Sequence, residues 1–183
     1  YEPEEGTILI DGIDIAQIDP ADLRKGISYV PQDIHLFGGT IKQNILGIHK
    51  FIDDEWMLEC SKISGTDEFV RMHPAGYDMP LGERGAGLSG GQRQSVGIAR
   101  ALINNSDIWM FDEPTNAMDQ TSESIVLNNL MSKIEGKTLL LVTQKMSMVD
   151  LVDRIIVMNF GTKVLDGPKD EIINKLGNSG EKQ

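Results

Sequence analysis

The apolar positions of this chain change rhythm twice. From Gly6 to Ile15, "GTILIDGIDI" alternates apolar and polar residues and breaks at Asp11-Gly12, which predicts a hairpin of two short strands. "DPADLRKG" (19–26) sets an Asp before a proline and ends on glycine, a short capped helix, and "ISYVP" (27–31) follows as a buried-type strand. From Thr40 to about Ala99 helical spacing takes over, in "TIKQNIL", "DDEWMLECSKI" and "TDEFVRMH", with Gly, Pro and Asp breaks between them. A second alternating block then begins. "GGQRQSVGIARALIN" predicts a helix, "DIWMF" a strand, "DQTSESIVLNNLMSKI" a helix and "TLLLVT" a strand. "RIIVMNFGTKVLDGP" (154–168) closes the block as two strands around a turn at Phe160-Gly161, and "GNSGEKQ" (177–183) reads as a frayed tail. The alternation predicts an α/β fold, a largely parallel sheet with helices on both faces.

Composition narrows this only a little. A chain of 183 residues, 40% apolar and 25% charged, has room for one domain with a real core and a small appended subdomain. No apolar run approaches the length of a membrane span, and the first residues are acidic rather than those of a signal peptide. The single cysteine, Cys60, excludes an internal disulfide and fits a reducing compartment. It lies at helical spacing from Trp56 and Ile63, which predicts a buried, small apolar role. A net charge of −11 argues against nucleic acid as the main partner. An anionic nucleotide would need concentrated local donors, such as backbone amides at helix N-termini.

Three stretches carry candidate chemistry. "GKT" at 136–138 looks like the end of a phosphate-binding loop, but Met131 stands where the first glycine of that motif belongs, and a strand follows instead of a helix. Lys137 is therefore read as the exposed end of a helix–strand connection. "IWMFDEPT" delivers Asp112 and Glu113 to the carboxyl end of a strand, where ligands of parallel sheets bind. Asp112 there suits Mg²⁺, and Glu113 beside it suits orienting or deprotonating a water. The same stretch also reads as an acidic turn that caps the next segment, so both readings stay open on these residues alone. In "LSGGQRQ", Ser89 is a good N-cap, Gly90 and Gly91 let the backbone approach a ligand closely, and a helix starts at once. That is an anion site. A plain capped helix is the alternative, although a cap does not require both glycines ahead of Gln92.

Taken in order, "YVPQD", "GERGAGLSGGQRQ", "IWMFDEPTNAMD" and "VDRIIVM" resemble the nucleotide-binding domain of an ABC transporter, from Tyr1 to about Lys175. The resemblance implies a P-loop NTPase-like (RecA-like) α/β core over 1–39 and 97–176, with an inserted helical subdomain over 40–96 that ends in the signature motif. It implies ATP and Mg²⁺ as cofactors, a second nucleotide-binding domain in a homodimer and a transmembrane domain as partners, and a place at the cytoplasmic face of the membrane. Gln32 matches the Q-loop glutamine, which touches Mg²⁺ and the attacking water. Leu88, Ser89, Gly90, Gly91 and Gln92 match the signature, which contacts the γ-phosphate bound by the opposite subunit. Asp112 and Glu113 match the Walker B aspartate and the catalytic base, and Asp119 matches the D-loop. Glu83 and Arg84 ahead of the signature are similar to exporters, and "LFGGTIKQNI" with "PTNAMD" to exporters of peptides and proteins, including type I secretion ATPases.

Two departures accompany the resemblance. The family's Walker A loop and its adenine-stacking aromatic lie before the residues that match "YEPEEGTILIDG", so the chain is expected to begin after both. The phosphate lysine is then not Lys137, and residues 1–183 alone are expected to bind Mg-ATP negligibly and not to turn it over. The second departure is Gln144, where the family usually has a histidine at the γ-phosphate. Glutamine donates and accepts hydrogen bonds but does not become cationic. His35, His49 and His73 fit none of the motifs. A soluble ABC ATPase without a transport role, or a regulatory module that does not hydrolyse ATP, are the alternative readings.

Overall fold

The computed structural model describes residues 3–49 and 52–180, the last three of them by backbone alone. Strands β1 (Leu9–Ile10) and β2 (Ile13–Asp14) pair antiparallel. Their turn places Asp11 at φ 50° and Gly12 at φ 79°, the two positive values that a tight hairpin needs. Helix α1 (Pro20–Lys25) starts as its sequence dictates: Asp19 accepts the Ala21 N–H at 2.7 Å, and Pro20 takes the first position, where no N–H is needed.

The centre is a parallel sheet in the order β3 (Ile27–Val30), β6 (Ile108–Asp112), β7 (Thr138–Val142). Its register aligns Val30 with Phe111 and Leu141, and Asp112 with Val142. All three strands therefore end on one edge. Alternation splits them into two faces. Ser28, Val30, Trp109 and Phe111 are buried on one face, where α5 (Gly90–Ile103) packs against β3. On the other face Tyr29, Leu140 and Val142 are each more than half exposed. Helices on both faces were expected, and the described residues cover only one. Apolar runs record that a strand is fit for burial, not which segment buries it.

The 40–96 stretch is helical, as its spacing predicts. Strand β4 (Gly39–Thr40) leads into α2 (Ile41–Leu46), and α3 (Asp54–Ile63) and α4 (Thr66–Val70) follow before β5 (Pro80–Leu81) pairs with β4. Helices α2, α3 and α4 all pack on α5. Their contact joins Ile41, Ile45, Met57 and Cys60 to Val96, Ile98 and Ile103 in one apolar core. Each such side chain stabilises by roughly 1.5–3 kcal/mol on burial. Cys60 is buried as expected, and desolvation, with Glu59 nearby, pushes its thiol up to about 12, so it stays protonated and inert.

After α6 (Gln120–Met131) and β7, the chain forms the hairpin of β8 (Arg154–Asn159) and β9 (Thr162–Pro168). Phe160 and Gly161 turn it at φ 45° and 74°. Helix α7 then runs over Lys169–Gly180. The expected frayed tail is corrected for Gly177–Gly180, which continue this helix; residues 181–183 lie outside the described residues. Gly177 and Gly180 weaken a helix but do not end one whose Ile172 is anchored at 0% exposure.

Candidate functional site

Two groups of the expected site residues emerge, in different places. The first lies on the carboxyl edge of the parallel sheet. Asp112 is the last residue of β6, half-buried and in register with Val142. The chain then turns sharply, with Glu113 at φ 46°, an uncommon conformation for a residue with a side chain. The Glu113 N–H donates to the Val142 carbonyl at 2.9 Å. That turn sends the Glu113 carboxylate towards the segment after β7, where it accepts the Gln144 N–H at 2.9 Å and the Thr143 hydroxyl at 3.3 Å. Glu113 is nearly buried. Gln32 is exposed two residues past the end of β3 and shares this edge, and the Gln144 side chain points outward beside Glu113. Among the described residues, nothing hydrogen-bonds the Asp112 carboxylate or the Gln32 and Gln144 carboxamides.

The second group surrounds the start of α5. Ser89 caps the helix, and its hydroxyl accepts the Gln92 N–H at 3.2 Å while the Gln92 side chain accepts the Ser89 N–H at 2.9 Å. This reciprocal box uses both side chains. The box spends the acceptors of these side chains; the Ser89 O–H and the Gln92 NH2 stay open as donors beside the main-chain N–H groups of Gly90 and Gly91 at the positive end of the helix. Both glycines are needed for another reason too. A Cβ on Gly90 would stand 3.0 Å from the Ala117 Cβ, and one on Gly91 3.1 Å from the Ala117 carbonyl. Ser89, Gly91 and Gln92 line a cleft of about 210 Å³ with Glu68, Phe69 and Asp119. Asp119 caps α6, accepting the Ser122 N–H and hydroxyl, each at 2.9 Å. Those hydrogen bonds hold its carboxyl below the usual range.

Several residues that tie these groups together escaped the sequence reading. Gln94 is buried, donates to the Glu113 carbonyl at 3.3 Å and accepts the Ala117 N–H at 2.7 Å. Gly97 stands where a Cβ would fall 2.4 Å from Ile34, so only glycine lets the segment after Gln32 lie against α5 at this depth. Arg100 fastens the same segment: it donates to the carbonyls of Asn44 at 2.7 Å and His35 at 2.9 Å, and stacks over Phe37. A glycine inside a helix pattern was the available signal, and it points to close packing. Lys137 ends the connection from α6 to β7, as expected: Gly136 precedes it at φ 75° and β7 follows. It is not exposed as expected, however, but half-buried, because the Thr138 N–H bond to the Asp107 carbonyl at 2.9 Å brings it beside Asp107, whose carboxylate its ammonium pairs with at 3.0 Å.

A family model described as "ABC transporter" matches residues 1–116. The chain belongs to the ABC transporter family. Among curated members it is similar to the leukotoxin translocation ATP-binding protein LktB of Mannheimia glucosida, 42% identical over 94% of this chain and 24% of that protein. The leukotoxin export ATP-binding protein LtxB of Aggregatibacter actinomycetemcomitans is 40% identical over the same shares. Among solved structures, a bacterial Atm1-family ABC exporter with ATP bound superposes with a TM-score of 0.91 at 34% identity, over 96% of this chain and 31% of that one. The chain thus spans about a quarter of the length of these curated ABC relatives. No helix among the described residues is long and apolar enough to cross a membrane.

Proposed function

We propose that this chain is part of the ATP-hydrolysing subunit of an ABC exporter that drives a protein or peptide across a membrane, with Glu113 as the base that prepares water for attack on the γ-phosphate. The observation that carries this reading is the setting of Glu113. It is a carboxylate turned off the end of a central strand by a left-handed backbone and held through both oxygens by Thr143 and Gln144. A base fixed in this way meets its water without first searching for it. The relatives' printed roles in leukotoxin translocation and export favour a proteinaceous cargo.

Asp112 and Gln32 would hold Mg²⁺. Their oxygens are hard donors, unclaimed by other side chains among the described residues. No cluster of three or more acidic, His or Cys side chains that could bind a metal by itself occurs among those residues. That suits an ion which keeps several waters and takes one or two protein oxygens plus phosphate oxygens. Bound there, it would neutralise charge on the phosphates. Gln144 would donate to the γ-phosphate. Ser89, Gly91, Gln92 and Asp119 line a separate cleft, with Gly90 next to them in the chain, and none of Gln32, Asp112, Glu113 and Gln144 contributes to it. One nucleotide therefore meets both groups most simply when the cleft of a second copy closes over the strand edge of the first, a homodimer at the cytoplasmic face beneath a transmembrane domain. The cleft lies between the helical stretch 40–96, which supplies Glu68, Ser89 and Gln92, and the start of α6, which supplies Asp119 and Ser122.

Replacing Glu113 with glutamine preserves size and removes the basic oxygen. In the full-length protein Glu113→Gln should lower ATP hydrolysis ~10²-fold or more while ATP still binds. Turnover near wild type would move the base elsewhere and defeat this reading.

A further inference from the structure

Glu123 lies on α6, in a stretch where "TSES" suggests a solvent face, yet it is 7% exposed. Its carboxylate gathers donors from two other segments. Thr115 Oγ1, in the turn after Glu113, donates at 3.0 Å; Ser147 Oγ donates at 2.5 Å, and the Lys145 ammonium forms an ion pair. Lys145 also donates to the Thr115 carbonyl at 2.8 Å. Burial by itself would raise the Glu123 pKa, but the bonds from Lys145, Ser147 and Thr115 outweigh it and keep the carboxylate ionised. From Lys145 the connection continues to the site. Its N–H donates to Thr143 Oγ1 at 3.1 Å, and Thr143 Oγ1 in turn donates to Glu113. Gln144, between them, gives its N–H to the other Glu113 oxygen.

We propose that Glu123 is a positioning residue for hydrolysis: through Lys145 and Ser147 it clamps the segment 143–147 to the turn after Glu113, and so fixes both the Glu113 carboxylate and the Gln144 backbone. The proposal rests on the reading of Glu113 as base. The physical reason is that a buried network of charges is rigid only when complete. With Glu123 neutral, the Lys145 ammonium loses its partner and turns to solvent, which its 29% exposed side chain allows. The Thr143 and Gln144 donors then drift with it. Misplacement of a base by about 1 Å costs on the order of a hundredfold in rate.

The test uses the full-length protein and steady-state ATP hydrolysis. Glu123→Gln, which keeps shape and loses charge, should lower kcat about tenfold to a hundredfold, with the KM for ATP nearly unchanged because no contact to nucleotide is removed. Glu123→Asp should restore part of kcat, since it keeps the charge at shorter reach. Combined with Gln144→Ala, Glu123→Gln should cost less than the product of the two single losses, because both act through one segment. Wild-type kcat in Glu123→Gln, or a fully multiplicative double variant, would overturn the proposal. If Glu123→Gln fails to fold, Ser147→Ala carries the test, with a loss in kcat of about threefold or more at unchanged KM expected and wild-type kcat contradicting it. Glu113→Gln, run in parallel, separates the two readings. If it abolishes turnover while Glu123→Gln does not lower it, only the clamp is wrong; if Glu113→Gln stays active, the base assignment falls and the clamp with it.

Discussion

The two proposed binding regions, the strand edge and the cleft at the start of α5, are built in opposite ways. At the strand edge the backbone holds and the side chains stay open: the main-chain groups of Val142 and Gln144 fix Glu113, and among the described residues nothing hydrogen-bonds the polar heads of Asp112, Gln32 and Gln144. At the cleft the side-chain acceptors are tied up in caps, Ser89 with Gln92 and Asp119 with Ser122. There the backbone presents. The first region is consequently sensitive to changes of chemistry at constant size, and the second to changes of size without chemistry.

The largest effect that would break this contrast is at Gln144. If its carboxamide is a presented donor, Gln144→Ala in the full-length protein should lower kcat towards ~10²-fold, the lower end of the usual cost of one transition-state donor. Gln144→His should equal or exceed wild type, with any gain growing as pH falls through the histidine's pKa, because the imidazolium adds positive charge. Profiles of kcat against pH for the three proteins decide it. An alanine variant matching wild type at every pH would remove Gln144 from the presented set.

The cleft is tested by size. Gly91→Ala brings a methyl group to 3.1 Å from the Ala117 carbonyl, so α5 must withdraw from the 117–118 turn, at a cost of about 1–3 kcal/mol. Ser89→Ala removes a cap for about 1 kcal/mol and leaves the amides in place. Equilibrium unfolding and ATPase rates measured together should show activity lost far beyond stability in Gly91→Ala, and the two falling together in Ser89→Ala. Equal behaviour of both variants would mean that the cleft works through its side chains after all.

The smallest effect is acid sensitivity at the cleft. The Asp119 carboxyl is held below its ordinary 3.8 by the Ser122 N–H and hydroxyl. A group depressed on folding stabilises fully above its unfolded value, and that stabilisation is lost as pH falls below about 4 towards the folded value. Stability measured from pH 6 to 3 should therefore decline more steeply in wild type than in Asp119→Asn, with the two curves approaching each other at the acid end. Parallel curves would show that the cap carries no charge-dependent part.

Much of this architecture is legible in the sequence because local rules fix it. Asp19, Thr40, Ser89 and Asp119 all cap the helices that their positions announce, and "IWMFDEPT" does deliver its carboxylates to a strand end. What sequence spacing does not disclose is contact between distant segments. The meeting of Gly97 with Ile34, and of Glu123 with Lys145, depends on how elements pack, and a glutamate on an amphipathic helix reads as solvated until its partners are in place. The bare sheet face of Tyr29, Leu140 and Val142 is illegible for the converse reason, since an apolar strand looks the same whether or not its cover is present.

Gln94 gives the two regions a common fate. Its carboxamide has only one workable orientation, nitrogen to the Glu113 carbonyl and oxygen to the Ala117 N–H, because the flipped amide would set donor against donor and acceptor against acceptor. Ala117 is also the residue on which Gly90 and Gly91 rest. A displacement of the turn beneath the cleft thus pulls on the peptide that carries Glu113, the proposed base. Linkage makes the traffic two-way: whatever free energy a ligand at the cleft imposes on the strand edge, a ligand at the strand edge imposes on the cleft in equal amount.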